Sequence, residues 1–135
     1  MASQLKVNTL TGVTTAGSIV VTGEGNSTAT NLQQGLAKAW VNWKGTDTVG
    51  LNGSFNVSSG ADLGTANYQI NYSNVMGDVN YSVGLGTNRQ DDSGDHTFSN
   101  FYANTTALLK GRAFNTGASA LDQAKWTANI HGDLA

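Results

Sequence analysis

Residues 26–43, NSTATNLQQGLAKAWVNW, decide how this chain is organised. Within them a leader rich in Ser, Thr, Asn and Gly gives way to AWVNW, where side chains alternate with the period of a β-strand. Trp40, Asn42 and Lys44 fall on one face of that strand, and Ala39, Val41 and Trp43 on the other. Between leader and strand, NLQQGLAKA at 31–39 offers Asn31 as a helix N-cap, but Gly35 and the shortness of the run limit it to a single turn. The stretch therefore predicts an extended N-terminal arm, 1–35, and a head, 36–135.

Working back from residue 26, the arm contains short apolar pieces separated by Thr-Gly, Ala-Gly and Gly-Glu-Gly turns. Its apolar side chains are too sparse to offset the ~1–2 kcal/mol of backbone entropy that each ordered residue costs. Alone, such an arm is a floppy tail; with identical chains or a socket on a larger assembly it has something to pack against. Leu5, Val7, Leu10, Ile19 and Val21, with Leu32 and Leu36 at the junction, are the residues through which anchoring or oligomerisation would run.

Working forward, runs of alternating residues recur and each stops at a Gly-, Asn- or Asp-rich turn. Phe55 and Val57 share a face, as do Tyr68, Ile70 and Tyr72, and then Tyr81, Val83 and Leu85. Further strands are expected at 97–102, with Phe98 and Phe101 in opposite phase, at 106–114, read as buried on both faces near 107–109, and at 125–131, with Trp126, Ala128 and Ile130 in one phase. About seven or eight strands at this spacing predict an all-β head, an antiparallel β-sandwich of jelly-roll-like kind. The eleven aromatic residues lie mostly on these runs and are expected to form its core, with a minority exposed. Proline is absent, so strand edges need charge, bulges or a neighbouring subunit to prevent uncontrolled pairing.

Composition narrows the function. Of 135 residues, 59 are Gly, Ser, Thr or Asn, which favours strands and turns over helices. Charged residues are only 12% and the net charge is −2, so no basic stripe exists to neutralise a phosphate backbone and nucleic-acid binding is excluded. There is no cysteine, hence no disulfide framework or thiolate metal site. The start, MASQLKVNTL, lacks the pattern of a signal peptide, and no apolar run approaches the ~20 residues of a membrane helix, so neither export nor membrane insertion is expected. Six N-x-S/T triplets, at Asn26, Asn52, Asn56, Asn71, Asn80 and Asn104, are read as a product of composition.

The densest polar cluster runs from Asn88 to His96. Arg89, Asp91, Asp92, Asp95 and His96 in it could meet a ligand: the carboxylates and histidine a hard cation, or Arg89 and the carboxylates a sugar. The spacing departs from a calcium loop, so metal is not assigned, and a plain solvated hairpin loop remains the simplest reading. His96 and His131 lie on different segments without a nucleophile or orienting group at suggestive spacing, and G-x-S-x-G is missing. Asp47, Asp62, Asp78, Asp122 and Asp133 all neighbour turns, where aspartate commonly bonds the local backbone. No catalytic residue, cofactor or enzymatic activity is expected. Trp40, opposite in phase to Trp43, is either an interface aromatic or a platform for a sugar ring.

Part of the chain also carries a recognisable pattern. Ala37-Lys38-Ala39-Trp40 with Gly45, then Ser54-Phe55-Asn56-Val57-Ser58, Gly64-Thr65 with Tyr68 and Tyr72, and Met76 with Asn80-Tyr81 resemble a family of short structural and tail-fibre-like proteins of tailed phages, notably phages of marine bacteria. The resemblance covers roughly residues 1–86 and rests on packing and turn motifs; Gly77 stands where relatives commonly have proline. It implies a virion protein, a homotrimeric fibre or knob, and an N-terminal segment that fixes it to other virion proteins. The expected function is a non-enzymatic tail fibre or similar appendage whose head displays a surface or binds a host-surface glycan. A capsid decoration or cement protein and a free carbohydrate-binding module are the alternatives.

Overall fold

The computed structural model describes residues 4–12, 19–22, 29–88 and 97–135. The chain divides into two compact units, Met1–Leu36 and Ala37–Ala135. In the first, β1 (Val20–Thr22) and β2 (Ala29–Asn31) form an antiparallel ribbon with Val21 opposite Thr30. The Leu32 amide extends the ladder by donating to the Ile19 carbonyl at 2.9 Å. One helical turn, α1 (Leu32–Gly35), follows directly on Asn31. A ribbon of three residue pairs is marginal in water.

The second unit is an all-β antiparallel sandwich. Its first sheet has the order β4-β3-β10-β7, from β3 (Ala39–Lys44), β4 (Gly50–Phe55), β7 (Ser82–Asn88) and β10 (Lys125–His131). The second has the order β5-β6-β9-β8, from β5 (Val57–Asp62), β6 (Asn67–Tyr72), β8 (Thr97–Asn104) and β9 (Leu108–Asn115). Three hairpins, β3–β4, β5–β6 and β8–β9, stay within a sheet and the other connections pass between sheets. The strand order is therefore plainer than the paired Greek keys of a jelly roll.

The inward phases are those the alternation gives. Ala39, Val41 and Trp43 of β3, Tyr68, Ile70 and Tyr72 of β6, and Trp126, Ala128 and Ile130 of β10 are all buried. The two inner tryptophans, both from the first sheet, are accommodated by glycines in the second. A Cβ at Gly60 would run into the Trp43 ring, and one at Gly111 into the Trp126 ring. Tyr68 fills the space between, its centroid 6.0 Å from that of Trp43 and 5.6 Å from that of Trp126. Some polar atoms of this layer are matched: Trp126 Nε1 donates to Ser99 Oγ at 2.8 Å, and the Gln123 amide donates to the Tyr68 hydroxyl at 3.0 Å, whereas Trp43 Nε1 is buried without a partner among the described residues. Burial is the main reason the Tyr68 pKa is pushed up to about 12.

Two expectations change. Phe55 and Val57 do not share a strand: the chain passes from the first sheet to the second at Asn56, leaving Phe55 exposed and Val57 against the core. Strand β9 is buried on one face only, with Leu109, Gly111 and Ala113 inward and Lys110 and Arg112 outward. The aromatic residues divide between core and surface, with a minority exposed as expected. Trp43, Tyr68, Tyr72, Tyr81 and Trp126 lie in the core, whereas Trp40, Phe55, Phe98, Phe101 and Tyr102 are each at least 40% exposed.

The crossing at Asn56 has its own chemistry. Asn56 adopts φ of 55°, in the left-handed region that asparagine tolerates better than most residues. Its side chain clamps the next loop, with Nδ2 donating to the Asn74 carbonyl at 2.9 Å and Oδ1 accepting from the Asn74 amide at 2.7 Å. Asn56→Ala loses both bonds and keeps the strained backbone, and is expected to destabilise the head by about 2 kcal/mol. Asn56→Gly relieves the strain and should cost less; urea denaturation midpoints of the two variants check the order.

Three edge strands each hold one residue more than their neighbour can pair. Asn52 in β4, Ser58 in β5 and Tyr102 in β8 are the extra residues, and the register shifts at each. The fourth edge, β7, pairs with β10 over seven residues without interruption.

Candidate functional site

The exposed aromatics lie on strands, so each is placed by strand phase and register. On the outer face of the first sheet, Trp40 stands directly opposite Phe55 on β4 and Asn129 on β10. The Trp40 ring leans over Gly53, where a Cβ would sit 3.5 Å from its edge atoms. It is 40% exposed and Phe55 54%, giving an aromatic pair on a face whose other side chains include Asn42, Lys44, Thr127 and Asn129. Asn52, the extra residue of β4, turns its amide back to Asn42 Oδ1 at 3.4 Å. Lys44 on the same face pairs with Asp47 at 3.6 Å.

On the outer face of the second sheet the arrangement is more polar and more tightly bonded. Strand β6, NYQINY, turns Tyr68, Ile70 and Tyr72 inward and therefore presents Asn67, Gln69 and Asn71 outward. Gln69 Nε2 donates to Asn71 Oδ1 at 2.9 Å, and Asn71 Nδ2 donates to Ser59 Oγ at 2.9 Å. Next to this row, β9 presents Lys110 and Arg112, and β8 presents Phe98 and Asn100, with Phe98 opposite Phe114 and Asn100 opposite Arg112. Bulges re-aim side chains. Tyr102, the extra residue of β8, reaches across β9 so that its hydroxyl donates to Asn67 Oδ1 at 2.6 Å. The Arg112 guanidinium stacks on that ring, 4.2 Å from its centroid.

The two sheet faces and the loops differ in charge. Lys110 and Arg112 on the second sheet form no ion pair with a described carboxylate. The described aspartates of the head lie in turns or at strand ends. Asp62 accepts from the Gly64 amide, Asp78 from the Asn80 amide and Asp122 from the Ala66 amide. These carboxylates hold loops in shape, as the sequence suggested for aspartates beside turns. Among the described residues, no three His, Cys, Asp or Glu side chains are grouped as metal ligands.

The residues singled out from sequence distribute unevenly. In the N-terminal unit, Leu5, Val7 and Leu10 are exposed and belong to no paired strand, Val21 is exposed within β1, Ile19 and Leu32 are half-buried and joined by their ladder bond, and Leu36 is exposed. Arg89, Asp91, Asp92, Asp95 and His96 lie outside the described residues. Trp40 is on the surface and Trp43 in the core. The sequence reading missed the Tyr102–Arg112–Asn67 group. Its signal was present in the polar phases of NYQINY and LLKGRAF, which read as ordinary solvent-facing positions.

No family model, curated protein or solved structure matches the chain.

Proposed function

We propose that the protein is a non-enzymatic structural component of a phage virion, a tail fibre or similar surface appendage, in which the N-terminal unit joins sister chains and other virion proteins and the head presents a binding surface. The family placement rests on the sequence pattern around Trp40, Phe55, Tyr68 and Tyr81. The observation that carries the assembly role is the exposure of the arm's apolar side chains, with Leu5 at 81%. A segment that presents Leu5, Val7, Leu10, Val20, Val21 and Leu36 to water gains stability only when other polypeptides cover them. The surface role is supported by the five exposed aromatics of the head, since aromatic residues and arginine are the side chains that dominate recognition surfaces. On this reading Trp40 and Phe55 form a contact between subunits, and the protein resides on the virion surface.

Analytical ultracentrifugation of the full chain tests the assembly role. A homotrimer at micromolar concentration is expected, and the combined substitutions Leu5→Asp, Val7→Asp and Leu10→Asp should shift it to monomer while the head still melts as a cooperatively folded unit. A wild-type chain that sediments as a folded monomer would overturn the proposal. Copy number in purified particles then separates an appendage from a decoration protein, since the latter coats the shell in far greater number.

A further inference from the structure

We propose that the outer face of the second sheet binds an acidic polysaccharide, with the Arg112 guanidinium taking a sugar carboxylate and the amides of Asn67, Gln69 and Asn71 taking ring hydroxyls. This deepens the reading of the head as a recognition surface and depends on it.

Arg112 is held in place before any ligand arrives. A surface arginine is normally a mobile side chain whose ordering costs up to ~2 kcal/mol. Here the guanidinium already rests on the Tyr102 ring at 4.2 Å, and that ring is tethered by its hydroxyl to Asn67 Oδ1 at 2.6 Å. The bulge at Tyr102 sends the side chain across β9 to make this possible. Part of the ordering is thus complete before a ligand arrives, which is where preorganised sites gain affinity. The planar fork of a guanidinium matches a carboxylate with two parallel hydrogen bonds.

The charge of this face points the same way. Lys110 sits two residues from Arg112 on the same face of β9, and neither is paired with a described carboxylate. Two cations without an ion-pair partner among the described residues favour an anionic occupant.

The neighbouring amides set the class of occupant. Gln69, Asn71 and Ser59 orient one another, and Tyr102 holds Asn67. Asn67 Nδ2 and Gln69 Oε1 are left as a donor and an acceptor without partners among the described residues. Such a fixed row of donors and acceptors suits vicinal hydroxyls. Phe98, 59% exposed, lies beside Phe114 one step further along the strands, about 7 Å from Arg112 by strand rise. It offers an apolar shelf for the C–H face of a neighbouring sugar unit. An acidic peptide would instead be expected to add to a free strand edge or fill a groove. The amide row and both cations stand on β6 and β9, the inner strands of the sheet, whose backbones are already paired on both sides.

The test uses the full-length protein and alginate hexasaccharide, a polyuronate, in isothermal titration, with cellohexaose as the neutral probe and hexaglutamate as the acidic peptide. Alginate hexasaccharide should bind, and more weakly as NaCl is raised from about 50 to about 500 mM. Cellohexaose and hexaglutamate should bind at least tenfold more weakly. Arg112→Gln should lower alginate affinity by roughly tenfold or more, the loss of a charge-assisted pair. Lys125→Gln makes the same charge change on the other sheet and should leave binding intact. Equal affinity for hexaglutamate, equal losses in the two glutamine variants, or no alginate binding by the wild type would each overturn the assignment. Sedimentation of the same samples keeps the two proposals apart: a trimer that ignores alginate refutes only this site, whereas a folded monomer refutes the assembly role.

Discussion

Trp126→Ala is expected to destabilise the head by about 3–5 kcal/mol, the range for removing a buried aromatic from a packed core. Against a typical domain stability of about 5–15 kcal/mol this leaves a barely folded protein. The ring is fully buried, meets Tyr68 at 5.6 Å, occupies the space a Cβ at Gly111 would need, and donates its indole N–H to Ser99. Its loss therefore empties the layer between the sheets and removes the indole hydrogen bond to Ser99, whose hydroxyl keeps only the Arg112 carbonyl at 3.4 Å. The reverse insult should be as severe. Gly111→Leu pushes side-chain atoms into the same ring, and β9, an inner strand bonded on both sides, has little room to retreat. The two lesions are complementary in space. A double variant, Trp126→Ala with Gly111→Leu, should recover part of the loss, with a coupling of about 1–3 kcal/mol of opposite sign to the single effects. Chemical denaturation of the three variants measures this. Strictly additive losses would mean that ring and glycine do not share one volume.

The second large effect is alkaline. Tyr68 is held protonated mainly by burial, then by the negative charges of Asp122 and Asp62, while the Gln123 amide hydrogen bond works the other way; its pKa stands at about 12 against 10.0 for the free side chain. Between pH 10 and 12 the unfolded chain therefore releases this proton and the folded head keeps it. Stability conferred by Tyr68 is complete below pH 10 and drains away as pH climbs through about 12, amounting to roughly 2–3 kcal/mol. Burial raises Tyr72 and Tyr81 as well, so the same limb should be steeper than one tyrosine predicts. Denaturation midpoints from pH 8 to 12 should fall only beyond pH 10. Tyr68→Phe should be less stable at pH 8, because the Gln123 amide loses its acceptor, yet its deficit should shrink towards pH 12. A deficit that is constant with pH would place the titration elsewhere.

These effects concern elements whose phase was readable in the sequence. AWVNW, NYQINY and KWTANIH alternate without interruption, and each turns the expected residues inward. Alternation fails where the chain changes sheets. SFNVS reads as one strand because its side chains alternate, but Asn56 turns the backbone and sends its two halves to different sheets, and a lone asparagine is a faint sign of such a turn. Which aromatic residues would be the exposed minority was not legible for a related reason: in strands without a clear apolar phase, alternation shows which side chains share a face and leaves open which face meets the core. In β8 the extra residue at Tyr102 resets even the phase. The polar group on the second sheet was hidden in the same way, since Tyr102, Arg112 and Asn67 are far apart in sequence and meet only because β8, β9 and β6 align in one register.

The supernumerary residues at Asn52, Ser58 and Tyr102 bear on solubility as well. Proline, the usual guard of a sheet margin, is absent from this chain, yet three of the head's four margins are spoiled as templates because their amide and carbonyl rows fall out of step. A strand arriving from another molecule would find no regular ladder to lengthen there. Only Ser82–Asn88 is left straight, with small residues at Gly84 and Gly86, so crowding of many heads on one surface concentrates the hazard of sheet-to-sheet fusion along that single border.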